Sequence, residues 1–134
     1  MFPKIRKVAV LGAGVMGSGI AAHLANAGIS CLMLDIVPPT LSDEEKKKGV
    51  TEKSPAFRNR FALKGLEAIR KSRPSLIYSQ KDLARIAIGN FDDDFAKIAE
   101  CDWIVEVVIE NLAIKRALYA KIEGLRKPGA VVSS

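Results

Sequence analysis

Three glycines and one aspartate are the residues of this chain best suited to chemistry on a phosphate-bearing ligand. Gly12, Gly14 and Gly17 follow the apolar run Val8-Ala-Val-Leu11, and Asp35 ends a second apolar run, Leu32-Met-Leu34. Each glycine meets a different requirement. Gly12 permits a tight turn, Gly14 has no side chain to hold the backbone away from a pyrophosphate, and Gly17 lets a helix pack closely on the preceding strand. A helix starting near Val15 would offer its unpaired N–H groups and the positive end of its dipole to an anion. The Asp35 carboxylate can accept hydrogen bonds from both hydroxyls of an adenine ribose and would repel a ribose 2'-phosphate. The expected ligand is therefore NAD rather than NADP, with Gly12, Ala13, Gly14, Val15, Met16, Gly17 and Asp35 as its contacts.

These residues need a βαβ unit to position them, and the flanking sequence supplies one. Ala21 is small where a helix crosses the strand, Ile20 and Leu24 continue an apolar stripe, and Gly28 stands where a left-handed cap ends the helix. A strand is expected from Ser30 to Leu34. From Ile36 to Val50, Pro38-Pro39 and a polar run predict a loop. A hydroxyl cap at Ser54 and Pro55 at the first helical position predict one helix reaching about Lys71, with Phe57, Phe61, Leu66 and Ile69 inward. Arg58, Arg60, Lys64, Arg70 and Lys71 then form its solvated side. Ser79 and Asp82 predict the start of a short helix, with Tyr78 packed on Leu83. Ile86 to Ile88 reads as a third strand, and the segment from Asn90 to Asp94 as the cap of a short helix carrying Phe95 and Ile98. Trp103 to Ile109 is the strongest strand pattern, apolar enough for burial on both faces. A helix with Leu112, Leu118, Ile122 and Leu125 inward follows, then a fifth strand over Ala130 to Val132. The order predicts an α/β fold: a Rossmann-type doubly wound parallel sheet with a helical excursion after the second strand.

The chain has 134 residues, 49% of them hydrophobic, which matches one domain with its own core. It is shorter than a two-domain dehydrogenase, so a truncated single domain over 1–134 is expected. The net charge of +6 is dispersed and only 6% of residues are aromatic, which argues against a nucleic-acid partner. Cys31 and Cys101 lack metal-ligand spacing and read as reduced core thiols, so no metal is expected. No signal peptide and no run of about 18 apolar residues is present, which points to a cytoplasmic protein without a membrane partner.

Val10-Leu-Gly-Ala-Gly-Val-Met-Gly-Ser-Gly-Ile-Ala21, Asp35 and Asp102-Trp-Ile-Val-Glu-Val-Val-Ile-Glu-Asn-Leu-Ala-Ile-Lys115 together resemble the NAD-binding domain of the L-3-hydroxyacyl-CoA dehydrogenases over nearly the whole chain. Ser54-Pro-Ala-Phe-Arg-Asn-Arg60 resembles the variety found in large bacterial β-oxidation proteins that also carry an enoyl-CoA hydratase region. The resemblance implies that Gly12 to Gly17 hold the pyrophosphate, Asp35 the adenine ribose, and Glu110 with Lys115 the nicotinamide ribose. It also implies an acyl-CoA substrate, oxidation of L-3-hydroxyacyl-CoA to 3-ketoacyl-CoA in fatty acid β-oxidation, and a homo-oligomeric full-length protein.

The residues that do the chemistry in that family are the serine of an Asn-Thr-Ser turn, a histidine paired with an acid, and an asparagine of a second domain. None matches a position in this chain. No catalytic residue is expected here, and the 134 residues alone should be inactive. His23, the sole histidine, falls in the first helix and reads as a surface or packing residue. Two alternatives use the same fold: another NAD-dependent 3-hydroxyacid dehydrogenase, which would usually lack Glu-Asn-Leu-x-x-Lys, and a non-catalytic module that senses NAD.

Overall fold

The computed structural model describes residues 5–72, 79–107 and 112–133. Five parallel strands, β1 (Lys7–Leu11), β2 (Ser30–Asp35), β3 (Ile86–Asn90), β4 (Trp103–Glu106) and β5 (Val131–Ser133), form one sheet in the order β3-β2-β1-β4-β5. This is the expected doubly wound sheet. The strand order reverses between β1 and β4, which opens a crevice beyond their carboxyl ends.

Residues of each strand alternate between two apolar layers. Val8, Val10, Cys31, Met33 and Val105 face α1 (Val15–Asn26) and α4 (Arg60–Arg70), where Ala21, Ala25, Ala62 and Ile69 meet them. Ala9, Leu11, Leu32, Leu34 and Ile104 face a 3-10 segment (Phe95–Glu100) and α6 (Leu112–Leu125), through Phe95, Ile98, Leu118 and Ile122. Burial on both faces explains why the strands are continuous β-branched and apolar runs rather than alternating ones. Register places Leu11 beside Leu34 on one side and Glu106 on the other, so the glycine turn, the end of β2 and the end of β4 share one edge.

Several local expectations are corrected. The polar stretch after β2 contains a short helix, α2 (Asp43–Lys47), because Ser42 and Glu45 form a reciprocal capping box that satisfies its first turn. The single helix expected from Pro55 to about Lys71 is two: α3 (Pro55–Arg58) and α4 from Arg60, broken at Asn59. The Ser54 hydroxyl does not cap it and instead accepts from the Thr51 N–H at 3.0 Å. Arg58 and Arg60 are fasteners rather than members of a solvated side. Arg58 forms a two-pronged bond with Asp93, at 2.6 and 2.9 Å, and Asn90 donates to Asn59 at 2.8 Å. Arg60 pairs with Glu45 and donates to the Thr40 carbonyl at 2.7 Å, with its guanidinium over Phe57. The break between α3 and α4 is thus tied to the end of β3 through Asp93 and Asn90, and α4 is tied to α2 through Arg60.

After β3, Asp94 stands at the N-cap of the 3-10 segment as expected, but its side chain makes no cap bond. It accepts the Asn90 N–H at 3.0 Å, which turns the chain tightly. Asn90 itself is the last residue of β3. Leu118 and Ile122 of α6 are buried as expected, whereas Leu125, at the helix end, is exposed. The fifth strand is one residue later than its pattern suggested. Ser79 precedes α5 (Gln80–Leu83) and contacts Asp82 at 3.3 Å, and the Tyr78 contact lies outside the described residues, as do Val108 and Ile109 of the expected fourth strand.

At the opposite edge, Asp102 fastens the start of β1. Its carboxylate pairs with Lys127 and accepts the N–H groups of Arg6 and Lys7 at 2.9 and 3.0 Å. The Lys127 bond, aided by those two amides, holds its pKa down to about 2. A carboxyl whose folded pKa is lowered stabilises the fold above its ordinary range near 4 and loses that contribution as pH falls toward 2. Asp102→Asn should therefore lower the urea midpoint at pH 7, and the gap to wild type should close as the pH falls to about 2. Urea titrations across that range check this; a gap of constant size would refute it.

Candidate functional site

The turn from β1 into α1 is built from its glycines upward. Gly12 has φ +121°, its N–H donates to the Leu34 carbonyl at 2.7 Å, and a Cβ there would sit 3.0 Å from the Val107 carbonyl oxygen. Gly17 is the point of closest approach, because a Cβ would fall 1.8 Å from the Gly12 oxygen. Gly14 is the opposite case: it is the N-cap of α1, and a Cβ there meets nothing within 4 Å. The space above Gly14 is open, and the first turn of α1 faces solvent, with Val15 96% and Met16 69% exposed. First-turn N–H groups lack partners within a helix, so this opening is a place for an anion.

Asp35 closes the other side of that opening. One carboxylate oxygen accepts the Ala13 N–H at 2.8 Å and the other accepts the Ile36 N–H at 2.7 Å. A carboxylate has about four lone-pair sites, so acceptor capacity for two ribose hydroxyls remains. The structure thus brings Ala13, Gly14, Val15 and Asp35 to the lining of a single cleft of about 420 Å³, whose far wall is Phe61, Lys64, Gly65 and Ala68 of α4.

Sequence reasoning missed the wall. A Cβ on Gly65 would lie 2.6 Å from the Ala13 carbonyl oxygen, so α4 touches the glycine turn there, and the buried Ser18 hydroxyl donates to that same oxygen at 2.9 Å. The available signal was a glycine inside a helix, a costly choice that marks close approach. A second cleft of about 250 Å³ starts next to Asp35, lined by Ile36, Val37, Phe91, Asp92, Leu118 and Lys121.

Lys115 sits on α6 at the crevice between β1 and β4. Its ammonium lies 3.6 Å from the carboxylate of Glu106, the last residue of β4. Glu110, expected beside Lys115, lies outside the described residues. Glu106 was not singled out from sequence, because it looks like one polar interruption in an apolar strand. His23 is exposed on α1. Burial pushes the Cys31 thiol up to about 12 and the Cys101 thiol up to about 11, so neither offers a thiolate near neutral pH. Among the described residues no group of His, Cys, Asp or Glu could hold a metal, and no helix is long and apolar enough to cross a membrane.

Comparison with known proteins agrees with this geometry. The family model described as the 3-hydroxyacyl-CoA dehydrogenase, NAD binding domain, matches residues 7–134. A probable 3-hydroxyacyl-CoA dehydrogenase of Bacillus subtilis is 50% identical over 134 residues, covering 100% of this chain and 17% of that protein. A putative fatty acid oxidation complex trifunctional enzyme of Rickettsia felis is 37% identical over 131 residues, 98% of this chain and 16% of its own length. This chain therefore spans about a sixth of these curated relatives. Among solved structures, (S)-3-hydroxybutyryl-CoA dehydrogenase from Ralstonia eutropha superposes with a TM-score of 0.60 at 27% identity, over 97% of this chain and 41% of that one. The open glycine turn, the acid that ends β2 and this match over nearly the full length lead to one conclusion: the chain belongs to the family of 3-hydroxyacyl-CoA dehydrogenase NAD-binding domains, and its cofactor is NAD.

Proposed function

We propose that this chain is the cofactor-holding domain of an enzyme that oxidises L-3-hydroxyacyl-CoA to 3-ketoacyl-CoA in fatty acid β-oxidation. The observation that carries the reading is the Asp35 carboxylate bound to the Ala13 N–H. That bond joins the acid for a ribose to the turn for a diphosphate at one edge of the sheet. The residues present fit NAD: the space above Gly14 admits a diphosphate, and Asp35 keeps free acceptor sites. Gly12, Ala13, Gly14, Val15, Met16 and Gly17 would hold the diphosphate, and Asp35 the adenine ribose. Lys115, with Glu110, would serve the nicotinamide ribose. The mostly apolar cleft lined by Ile36, Val37, Phe91 and Leu118 suits the adenine ring.

When bound, the nicotinamide supplies two-electron redox chemistry. The chain's own contribution is orientation: a rigid turn, a fixed acid and a placed cation hold the reactive ring in one position against a substrate. The exposed Lys64 on the α4 wall of the cleft beside the glycine turn offers a cation to a phosphate-bearing ligand. In this reading residues 1–134 are one domain, the protein works in the cytoplasm as a homo-oligomer, and the proton chemistry belongs to residues outside this chain.

The test is Asp35→Ala. Losing hydrogen bonds to a charged group should weaken NADH binding by on the order of 1 to 3 kcal/mol, a Kd increase of roughly 5- to 150-fold, and the melting temperature should fall as well, because the Ala13 and Ile36 N–H groups lose their acceptor. Calorimetric affinity equal to wild type would remove Asp35 from the site.

A further inference from the structure

Among the described residues, Glu106 is a buried acid of the sheet for which the cofactor reading has no use. Its side chain is 0% exposed, while that of its partner Lys115 is 24% exposed and so reaches the crevice. Register sets Glu106 beside Leu11, one residue before the glycine turn, and the next residue, Val107, donates to the Leu11 carbonyl at 2.9 Å. The acid therefore lies under the crevice where the strand order reverses. A dinucleotide held through its adenosine at β2 must cross that reversal, which leaves its other half on the β4 side. A carboxylate buried this deeply is tolerated when a cation compensates it.

Resting on the cofactor reading above, we propose that Glu106 is a positioning residue that neutralises Lys115 and thereby sets the preference of the site for oxidised over reduced cofactor. The two forms share their diphosphate, riboses and adenine. They differ in the nicotinamide ring, which carries a positive charge when oxidised and none when reduced. With both members present the Glu106 and Lys115 charges offset each other. Without the Glu106 charge, the Lys115 ammonium repels the oxidised ring, and the reduced form gains.

The experiment measures Kd for NAD⁺ and for NADH separately by calorimetry on the 134-residue chain, with melting temperature as the folding check. Glu106→Gln should raise the ratio Kd(NAD⁺)/Kd(NADH) about fivefold, the scale of a unit charge acting across a partly solvated cleft. Lys115→Met should lower that ratio, and the double variant, which carries neither charge, should return it to wild type. A role confined to folding would weaken both forms equally. An unmoved ratio in a folded Glu106→Gln variant therefore overturns the proposal, and should that variant not fold, an unmoved ratio in Lys115→Met does the same. Wild-type chain that binds neither form overturns the cofactor reading itself, which separates the two failures.

Discussion

Gly17→Ala is expected to unfold the first βαβ unit. The added Cβ would fall 1.8 Å from the Gly12 oxygen, 2.9 Å from the Gly12 carbonyl carbon and 3.1 Å from a Val107 methyl. Two of the three atoms are backbone, and that backbone cannot retreat. Gly12 is anchored to the Leu34 carbonyl at 2.7 Å and already sits against Val107. Ordinary overpacking costs about 1 to 3 kcal/mol because side chains move aside. Here the strand and the helix must part, so the cost should exceed about 4 kcal/mol, a large share of the roughly 5 to 15 kcal/mol that holds a domain together. Urea denaturation measures this directly. A midpoint equal to wild type would mean that the helix and strand are further apart than described.

Gly14→Val should give the opposite result, with the cofactor lost and the fold kept. The new Cβ meets nothing within 4 Å, and the backbone at Gly14 has φ −69° and ψ −167°, an extended conformation open to any residue. Valine is a poorer N-cap than glycine, so the stability cost is about 1 kcal/mol, well short of unfolding the domain. The isopropyl group would instead fill the space in front of the first turn of α1, where the proposed diphosphate site lies. NADH affinity should fall at least roughly 100-fold, equivalent to about 2.7 kcal/mol, with the melting temperature only a few degrees below wild type. Unchanged affinity would place the diphosphate elsewhere. Together the two glycines separate folding from binding within one short turn.

The legible and illegible parts of the sequence divide along the range of the interactions involved. β1, α1 and β2 were readable because each requirement is local: an apolar run, a glycine at each close approach, a left-handed residue after the helix. Gly28 shows it well, with φ +83° where the cap was expected. Asp35 was readable for the same reason, since its position at the end of β2 decides its direction. The excursion was not. Whether the chain breaks at Asn59 depends on Asp93 and Asn90, which come from the far end of β3, and nothing adjacent to Arg58 announces that partner. The capping box at Ser42 and Glu45 was local and readable in principle, but Pro38-Pro39 and the charge run outweighed it. Lys115 was named from the resemblance, while Glu106 stands out only once the register of β4 against β1 sets it beside Leu11 with its side chain buried.

The Asp35 bond to Ala13 also bears on any effort to re-engineer coenzyme choice in this domain. A common strategy exchanges the acid at the end of the second strand for a small or basic residue, so that a phosphorylated ribose is admitted. In this chain the same oxygen that would be removed also immobilises a main-chain donor of the anion turn at 2.8 Å. Such an exchange would slacken the turn while widening the proposed ribose site, and a successful redesign must restore that lost tether with a new acceptor.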